Sequence, residues 1–258
     1  MRGARAAVHL ALALALAGGA ALAAAAGARA EEEPGEARGE APAPAERRPK
    51  GSSAKPASGS PPPTWYALAL AHSELGLNVA YFWSKGPKLR AETVVGGRKV
   101  VSIVAGDTYY AYDATSLDGV AIGRARAAIA KDGPSRRPFG RDLELILRQG
   151  GEKVGEEEIA GRLCERYRVT DGAGRREVWV TKDELQLPLR LKIYTRLTGK
   201  TIHTDYVNWA AALAIDDGFF EPESGVRFQR LSYDEYAARQ FTPFGPVPIL
   251  YTDLLAGE

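Results

Sequence analysis

Cysteine occurs once in the 258 residues, at Cys164, so no disulfide can staple the chain internally. It lies in the strand-like run Leu163-Cys164-Glu165-Arg166-Tyr167, where the expected role is a structural thiol rather than a reactive one. Histidine is nearly as scarce. Beyond His9 in the N-terminal apolar run there are only His72 and His203. Nucleophilic hydrolysis needs a Ser or Cys beside a positioned base, and the chain has no G-x-S-x-G turn. Nothing in the sequence calls for a catalytic triad, and the expectation is a protein that is not an enzyme and takes no cofactor. His203 and Asp205 share one face of a strand, but two groups are too few for a metal, and they read as a solvated polar face. Excess charge is lacking too. Setting aside Arg2, Arg5 and Arg29, the remaining 31 basic side chains meet 32 acidic ones. Such a balance gives no electrostatic case for nucleic acid, which needs a clustered basic face.

The N-terminus holds a different signal. Met1 to Arg5 is basic, an Ala/Leu run follows to about Gly27, and Ala28-Arg29-Ala30 precedes three glutamates. These are the parts of a secretory signal peptide, with cleavage expected after Ala30 and a periplasmic address. The alternative is an uncleaved anchor, since the apolar run approaches the length of a membrane span. From Glu31 to Pro63 there is no aromatic and no β-branched residue. Such a stretch buries too little apolar surface to offset the entropy of ordering, so a tether is expected over 31–63. The expected organisation is a signal over 1–30, this tether, a folded domain over 64–232, and a C-terminal extension over 233–258 packed on the domain or partly ordered.

Within the domain, Trp65, Leu68, Leu70 and Leu75 suggest a short helix. Short apolar or alternating runs then follow: Asn78 to Ser84, Lys88 to Val95, Lys99 to Ala105 and Thr108 to Asp113. Gly86-Pro87, Gly96-Gly97 and Gly106-Asp107 separate them as hairpin turns. From Gly119 to Gly151 the apolar spacing turns helical, with Ile122, Ala125 and Ile129, then Leu143, Ile146 and Leu147, predicting two helices. A second meander covers Glu152 to Ile159, Arg162 to Thr170, Arg176 to Thr181, Leu187 to Thr195 and Thr201 to Trp209. Thr198-Gly199-Lys200-Thr201 imitates the end of a phosphate loop, but Tyr194 stands where the earlier glycine belongs, and a hairpin turn is expected. Glu156-Glu157-Glu158 reads as an exposed edge that discourages strand pairing. Antiparallel strands with helices on one face make an α+β domain.

Tyr81, Phe82 and Trp83, with Tyr109, Tyr110 and Tyr112, put rings on both faces of the first meander. They suit either a core backed by amphipathic tyrosines or a ring-lined ligand groove. The run Tyr81-Phe82-Trp83-Ser84-Lys85-Gly86-Pro87-Lys88-Leu89-Arg90, followed by Gly106-Asp107-Thr108-Tyr109-Tyr110-Ala111-Tyr112, resembles the opening of periplasmic outer-membrane lipoprotein carriers (LolA-like). Val178-Trp179-Val180-Thr181, Leu187-Pro188-Leu189-Arg190-Leu191, Tyr206-Val207-Asn208 and Phe219-Phe220-Glu221-Pro222-Glu223-Ser224-Gly225-Val226 are similar to that superfamily's later strands and closing element. The resemblance spans about residues 75 to 228. It implies an antiparallel sheet curved into an incomplete β-barrel, closed by helices around an apolar cavity for acyl chains. The carriers' arginine before the turn proline is matched here by Gly86, with Lys85 and Arg90 as the neighbouring cations.

On that reading the partners are lipid or lipoprotein acyl chains, held by a protein peripheral to the membrane. The candidate lining is Phe82, Leu89, Val101, Ile103, Tyr110, Leu189, Leu191 and Ile193 from the strands, with Ile122, Ile129 and Ile146 from the helical lid. The same residues serve equally as a dry core. The alternative is an envelope sensor or scaffold that uses the fold to bind a partner protein.

Overall fold

The computed structural model describes residues 63–257 except 75, 134–136 and 240–244. The expected signal over 1–30 and the expected tether as far as residue 62 lie outside the described residues. Twelve strands form one sheet: β1 (Thr64–Ser73), β2 (Gly76–Lys85), β3 (Lys88–Val95), β4 (Arg98–Ala105), β5 (Thr108–Asp113), β6 (Asp118–Gly123), β7 (Glu152–Ile159), β8 (Arg162–Thr170), β9 (Gly174–Thr181), β10 (Pro188–Thr195), β11 (Lys200–Ala211) and β12 (Arg227–Leu231). Among the described residues four short helices accompany them: α1 (Arg126–Ile129), α2 (Asp142–Arg148), α3 (Tyr233–Ala238) and α4 (Thr252–Ala256).

The spatial order is β12-β6-β5-β4-β3-β2-β1-β11-β10-β9-β8-β7, and the sheet is open because its two end strands do not pair with each other. Every pairing is antiparallel except β12 on β6. The predicted strands are all present, within two residues at each end. Gly86 carries the turn between β2 and β3 with φ 56°, a left-handed conformation that an arginine would adopt only under strain. Gly199 turns β10 into β11, as the hairpin reading required. The acidic strand β7 is an outer edge and almost wholly exposed.

Two expectations fail. The helix expected from Trp65 onward is strand β1, and it sits in the middle of the sheet between β2 and β11. Its apolar residues fall on both sides, with Ala67 and Ala69 inward and Leu68 and Leu70 outward, so the alternation that marks a strand is masked. The first of the two helices expected over 119–151 is mostly strand β6, which carries Ile122, followed by the single turn α1. The architecture is therefore an open, mostly antiparallel sheet with few helices, and helices close only part of it.

Pairing registers define the two faces. One carries the rows Trp65, Ser84, Leu89, Val104, Tyr109, Ile122 and Ala67, Phe82, Ala91, Ser102, Ala111, Val120. Over β2 to β6 this face is covered by the C-terminal strap, residues 245–257, which contributes Val247, Ile249, Leu250, Tyr251, Leu254 and Leu255. Burying Leu254 and Leu255 contributes roughly 1.5–3 kcal/mol each. Over β8 to β10 the same side is covered by α2, with Leu143 and Ile146 on Val169, Val178, Val180, Leu191 and Ile193. The opposite face carries Tyr66, Trp83, Arg90, Ile103 and Tyr110, and is covered by the segment that holds Phe219, Val226 and Phe228.

Candidate functional site

The two covers of the strap face meet at a group of rings. Trp65 comes from β1, Phe82 from β2, Tyr206 and Trp209 from β11, Phe139 from the loop before α2, and Tyr251 from the strap. Phe139 stacks on Phe82 at 5.2 Å and on Trp209 at 5.6 Å between ring centres. Tyr251 meets Phe82 edge-on at 5.7 Å, and Trp65 meets Trp209 edge-on at 6.4 Å. Offset and edge-on pairs are the favourable ring geometries. Trp209 is fixed by its indole N–H, which donates to the Pro188 carbonyl at 2.9 Å. Gly140, at φ 67°, admits it closely, since a Cβ there would stand 2.6 Å from Trp209 Cη2.

A cation sits in this aromatic wall. The Arg137 guanidinium carbon lies 5.1 Å from the Trp65 ring centre and 5.0 Å from that of Trp209. Its Nε donates to the Phe139 carbonyl at 3.1 Å and its Nη2 to the Gly140 carbonyl at 3.0 Å. Beside it, Asp142 is buried and accepts a hydrogen bond from Tyr206 Oη at 3.1 Å. A cleft of about 510 Å³ opens at this point, lined by Trp65, Lys131, Gly133, Arg137, Arg141, Glu144, Glu184 and Leu185.

Burial pushes the Asp142 carboxyl above the usual aspartate value, against the pull of the Tyr206 hydrogen bond. A carboxyl whose pKa is higher in the folded protein keeps its proton there while the unfolded chain loses it. Asp142 therefore reduces stability as pH rises through and beyond the ordinary value of 3.8. Asp142→Asn keeps an acceptor for Tyr206 and removes the charge. Urea unfolding is expected to show the variant gaining on the parent at pH 7 relative to pH 4. An equal difference at both pH values would contradict the assignment.

The structure divides the predicted lining. Phe82, Leu89 and Ile122 lie together under the strap, and Ile146, Leu191 and Ile193 lie under α2 on the same side. Val101 and Ile103 are on the opposite face with Tyr110 against them, because Leu89 pairs with Val104 and the residues flanking Val104 point away. Leu189 packs with Trp179 and Cys164 next to a register shift in β10. Ile129 belongs to α1, where it is 37% exposed. Cys164 is buried and burial raises its thiol pKa, in keeping with a structural role. Asp205 is engaged by Arg190 at 2.7 Å, and among the described residues no three His, Cys, Asp or Glu converge on one point.

Sequence reasoning missed Arg137, Phe139 and Trp209, and for the C-terminal extension, expected to be packed on the domain or partly ordered, it did not identify the face that residues 245–257 cover. The available signal was Ile249-Leu250-Tyr251 and Leu254-Leu255, apolar clusters in the C-terminal extension that need a surface to cover. The cations near the β2–β3 turn serve elsewhere. Lys85 reaches the Ile215 carbonyl at 2.9 Å and Asp217 at 3.0 Å, while Arg90 holds Glu223 at 3.1 Å and the Phe219 carbonyl at 3.3 Å. Together they latch the 215–223 segment over the opposite face.

Residues 149–219, which run from the end of α2 through β11 to the 3-10 turn Asp217–Phe220, match a domain family of unknown function (DUF4412). No curated protein sequence matches the chain significantly. Among solved structures it is similar to an uncharacterized conserved protein from Thermus thermophilus, at 11% identity and TM-score 0.47, over 65% of this chain and 90% of that one. It is also similar to the lipoprotein LppX of Mycobacterium tuberculosis, at 13% identity and TM-score 0.36, over 59% of this chain and 89% of that one. A third is a chain of the Pseudomonas aeruginosa MucA/MucB complex, at 12% identity and TM-score 0.39, over 63% of this chain and 56% of that one. All three similarities are distant.

Proposed function

We propose that this chain is a non-enzymatic, exported binding protein that holds an acyl chain of a lipid or lipoprotein on its strap face. On this reading the signal is cleaved after Ala30, and the mature protein is periplasmic and peripheral to the membrane. Among the described residues no helix is long and apolar enough to cross a membrane. The supporting observation is the way the apolar face is covered. Leu89, Val104, Tyr109 and Ile122 lie under a thirteen-residue strap rather than under a second sheet. Among the described residues a single backbone–backbone hydrogen bond, from Ala125 N to the Leu255 carbonyl at 2.9 Å, ties that strap to the rest. Side chains add to it: Arg124 Nε donates to the Leu254 carbonyl at 2.8 Å, Arg98 Nη1 to the Pro246 carbonyl at 3.3 Å and Lys131 Nζ to the Gly257 carbonyl, and Tyr109 Oη accepts from Tyr251 N at 3.3 Å. A cover held mainly by apolar contacts can be replaced by another apolar chain.

Each buried methylene contributes about 0.8 kcal/mol, so affinity should climb steeply with acyl length. Titration of the full mature chain with fatty acids of eight to sixteen carbons, read by displacement of a fluorescent analogue, tests this. Binding that tightens about tenfold per pair of added carbons is expected. Flat or absent binding across the series would remove the carrier reading.

The same strap favours a second reading. With that face already filled, the domain serves equally as a sensor or scaffold that recognises an envelope protein. Native mass spectrometry of protein taken from its own envelope separates the two: co-purified lipid supports the carrier, and a lipid-free mass with a bound protein supports the scaffold.

A further inference from the structure

The cleft at the end of the aromatic wall carries an unbalanced charge. Arg137 is flanked by two indoles and has two donors on backbone carbonyls, but among the described residues no carboxylate pairs with it. The cleft lining holds three cations, Lys131, Arg137 and Arg141, against two carboxylates, Glu144 and Glu184, and among the described residues Glu184 forms no ion pair with Arg137. Arg141 is committed to Glu144 at 2.5 Å, and Glu144 also meets Arg148 at 3.5 Å. Lys131 donates to the Gly257 carbonyl at the end of the strap. The nearby Asp142 is taken up by Tyr206.

Arg137 feels the buried Asp142 only at a distance, and a largely buried guanidinium without a directly bonded carboxylate is expensive unless something else completes its shell. The indole faces supply part of that and the two carbonyls another part. Neither uses the whole fork of five N–H donors, whose geometry matches the two oxygens of a carboxylate or phosphate. Arg137 and Trp65 both line the cleft, and Trp65 also packs in the apolar cluster under the strap. An acidic group in the cleft thus stands next to the place where an acyl chain would lie.

The geometry points to the cleft formed by Arg137, Lys131 and Trp65 as an oxyanion site that takes the carboxylate or phosphate end of a bound amphiphile. This rests on the acyl-chain reading above and adds to it the chemistry of the head. Arg137 supplies the charge-assisted hydrogen bonds, and its two indoles hold it in one orientation. Lys131 adds charge at the point where the strap ends, and Arg141 is neutralised by its own glutamate. A fatty acid or a phosphate monoester lipid satisfies the site, whereas the corresponding alcohol or methyl ester leaves Arg137 unmatched.

The test compares a sixteen-carbon fatty acid with the alcohol of equal length, and separately titrates inorganic phosphate, on the full mature chain. The wild-type protein should prefer the acid by about tenfold or more. In Arg137→Gln that preference should fall to near unity, with Arg137→Lys between. Since Arg137 also packs on two tryptophans, a second variant leaves it in place. Leu185→Glu, at a cleft position 55% exposed, adds a negative charge and should cut the preference several-fold without unfolding the protein. If acid and alcohol bind equally in wild type, the oxyanion site is wrong and the acyl-chain reading survives. If no amphiphile binds but phosphate binds in an Arg137-dependent way, the site stands as a free-anion site and the acyl-chain reading falls. If neither ligand binds, both are overturned.

Discussion

Replacing Leu254 and Leu255 together by alanine is expected to raise the apparent affinity for a sixteen-carbon fatty acid by tenfold or more while lowering the thermal midpoint. Both side chains are buried on the sheet, and Leu255 has no exposed surface. Truncating a buried leucine to alanine costs about 2–5 kcal/mol in a core, and here the loss falls on the docking of the strap. A ligand that competes with the strap binds only the open fraction, so its apparent dissociation constant is the intrinsic one divided by that fraction. If the docked strap is favoured by about 3 kcal/mol, the open fraction is below about one per cent, and relieving most of that bias leaves ample room for a tenfold gain. The backbone link from Ala125 to the Leu255 carbonyl survives the change, so the strap is loosened rather than removed. Paired titrations of parent and double variant decide the matter. An unchanged or weaker affinity, with a lowered midpoint confirming that the strap has loosened, would show that strap and ligand do not share the face.

On the other face, Arg90→Met is expected to destabilise the fold by about 1.5–3 kcal/mol, because its charge-assisted hydrogen bonds to Glu92 and Glu223 are lost and Glu92 keeps only Lys99, at 2.7 Å. The Arg90 side chain is 8% exposed and reaches Glu92 at 2.8 Å and Glu223 at 3.1 Å. It also covers the Phe219 ring, with its guanidinium carbon 4.9 Å from the ring centre. Glu92 is the partner that suffers. Burial alone would push its carboxyl up, but hydrogen bonds from Lys99 and Arg90 outweigh that and hold it below the usual glutamate value. A carboxyl depressed in the folded state adds stability above its unfolded pKa and loses it as pH falls through the folded one. The gap between parent and variant should therefore be full at pH 7 and narrow in acid below the ordinary value of 4.5. Urea unfolding at pH 7 and pH 3 measures it. A gap that does not narrow at pH 3 would leave the loss to packing on Phe219 alone.

The hairpins were legible because the turns Gly86-Pro87, Gly96-Gly97 and Gly106-Asp107 punctuate them and one side of several strands is wet. In β10, Leu189, Leu191 and Ile193 alternate with Arg190, Lys192 and Tyr194, and the strand lies where that pattern puts it. Legibility stops where both faces are dry. Strand β4 reads Val100-Val101-Ser102-Ile103-Val104, nearly all apolar, so sequence cannot tell which residues share a face with Leu89. The registers choose Val100 and Val104, and they send Val101 and Ile103 to the other side. Strand β1 hides its alternation for the same reason. Only tertiary position could reveal Arg137, since a loop arginine gives no sign that two tryptophans far apart in sequence, on the paired strands β1 and β11, will flank it.

The sheet order has a kinetic corollary. Within β2 to β6, and again within β7 to β11, each strand lies beside its neighbours in sequence, so both arrays assemble through local hairpins. The seam between β1 and β11 is different, because it closes a loop that contains nearly the whole domain and carries the entropy of that closure. Ala69 and Tyr206 meet there, and Tyr206 in turn holds Asp142 at the base of α2. The aromatic wall is assembled across this seam, so it comes into being only when the two halves have joined. A chain still emerging from synthesis can fold its first hairpins, but it cannot yet present the site.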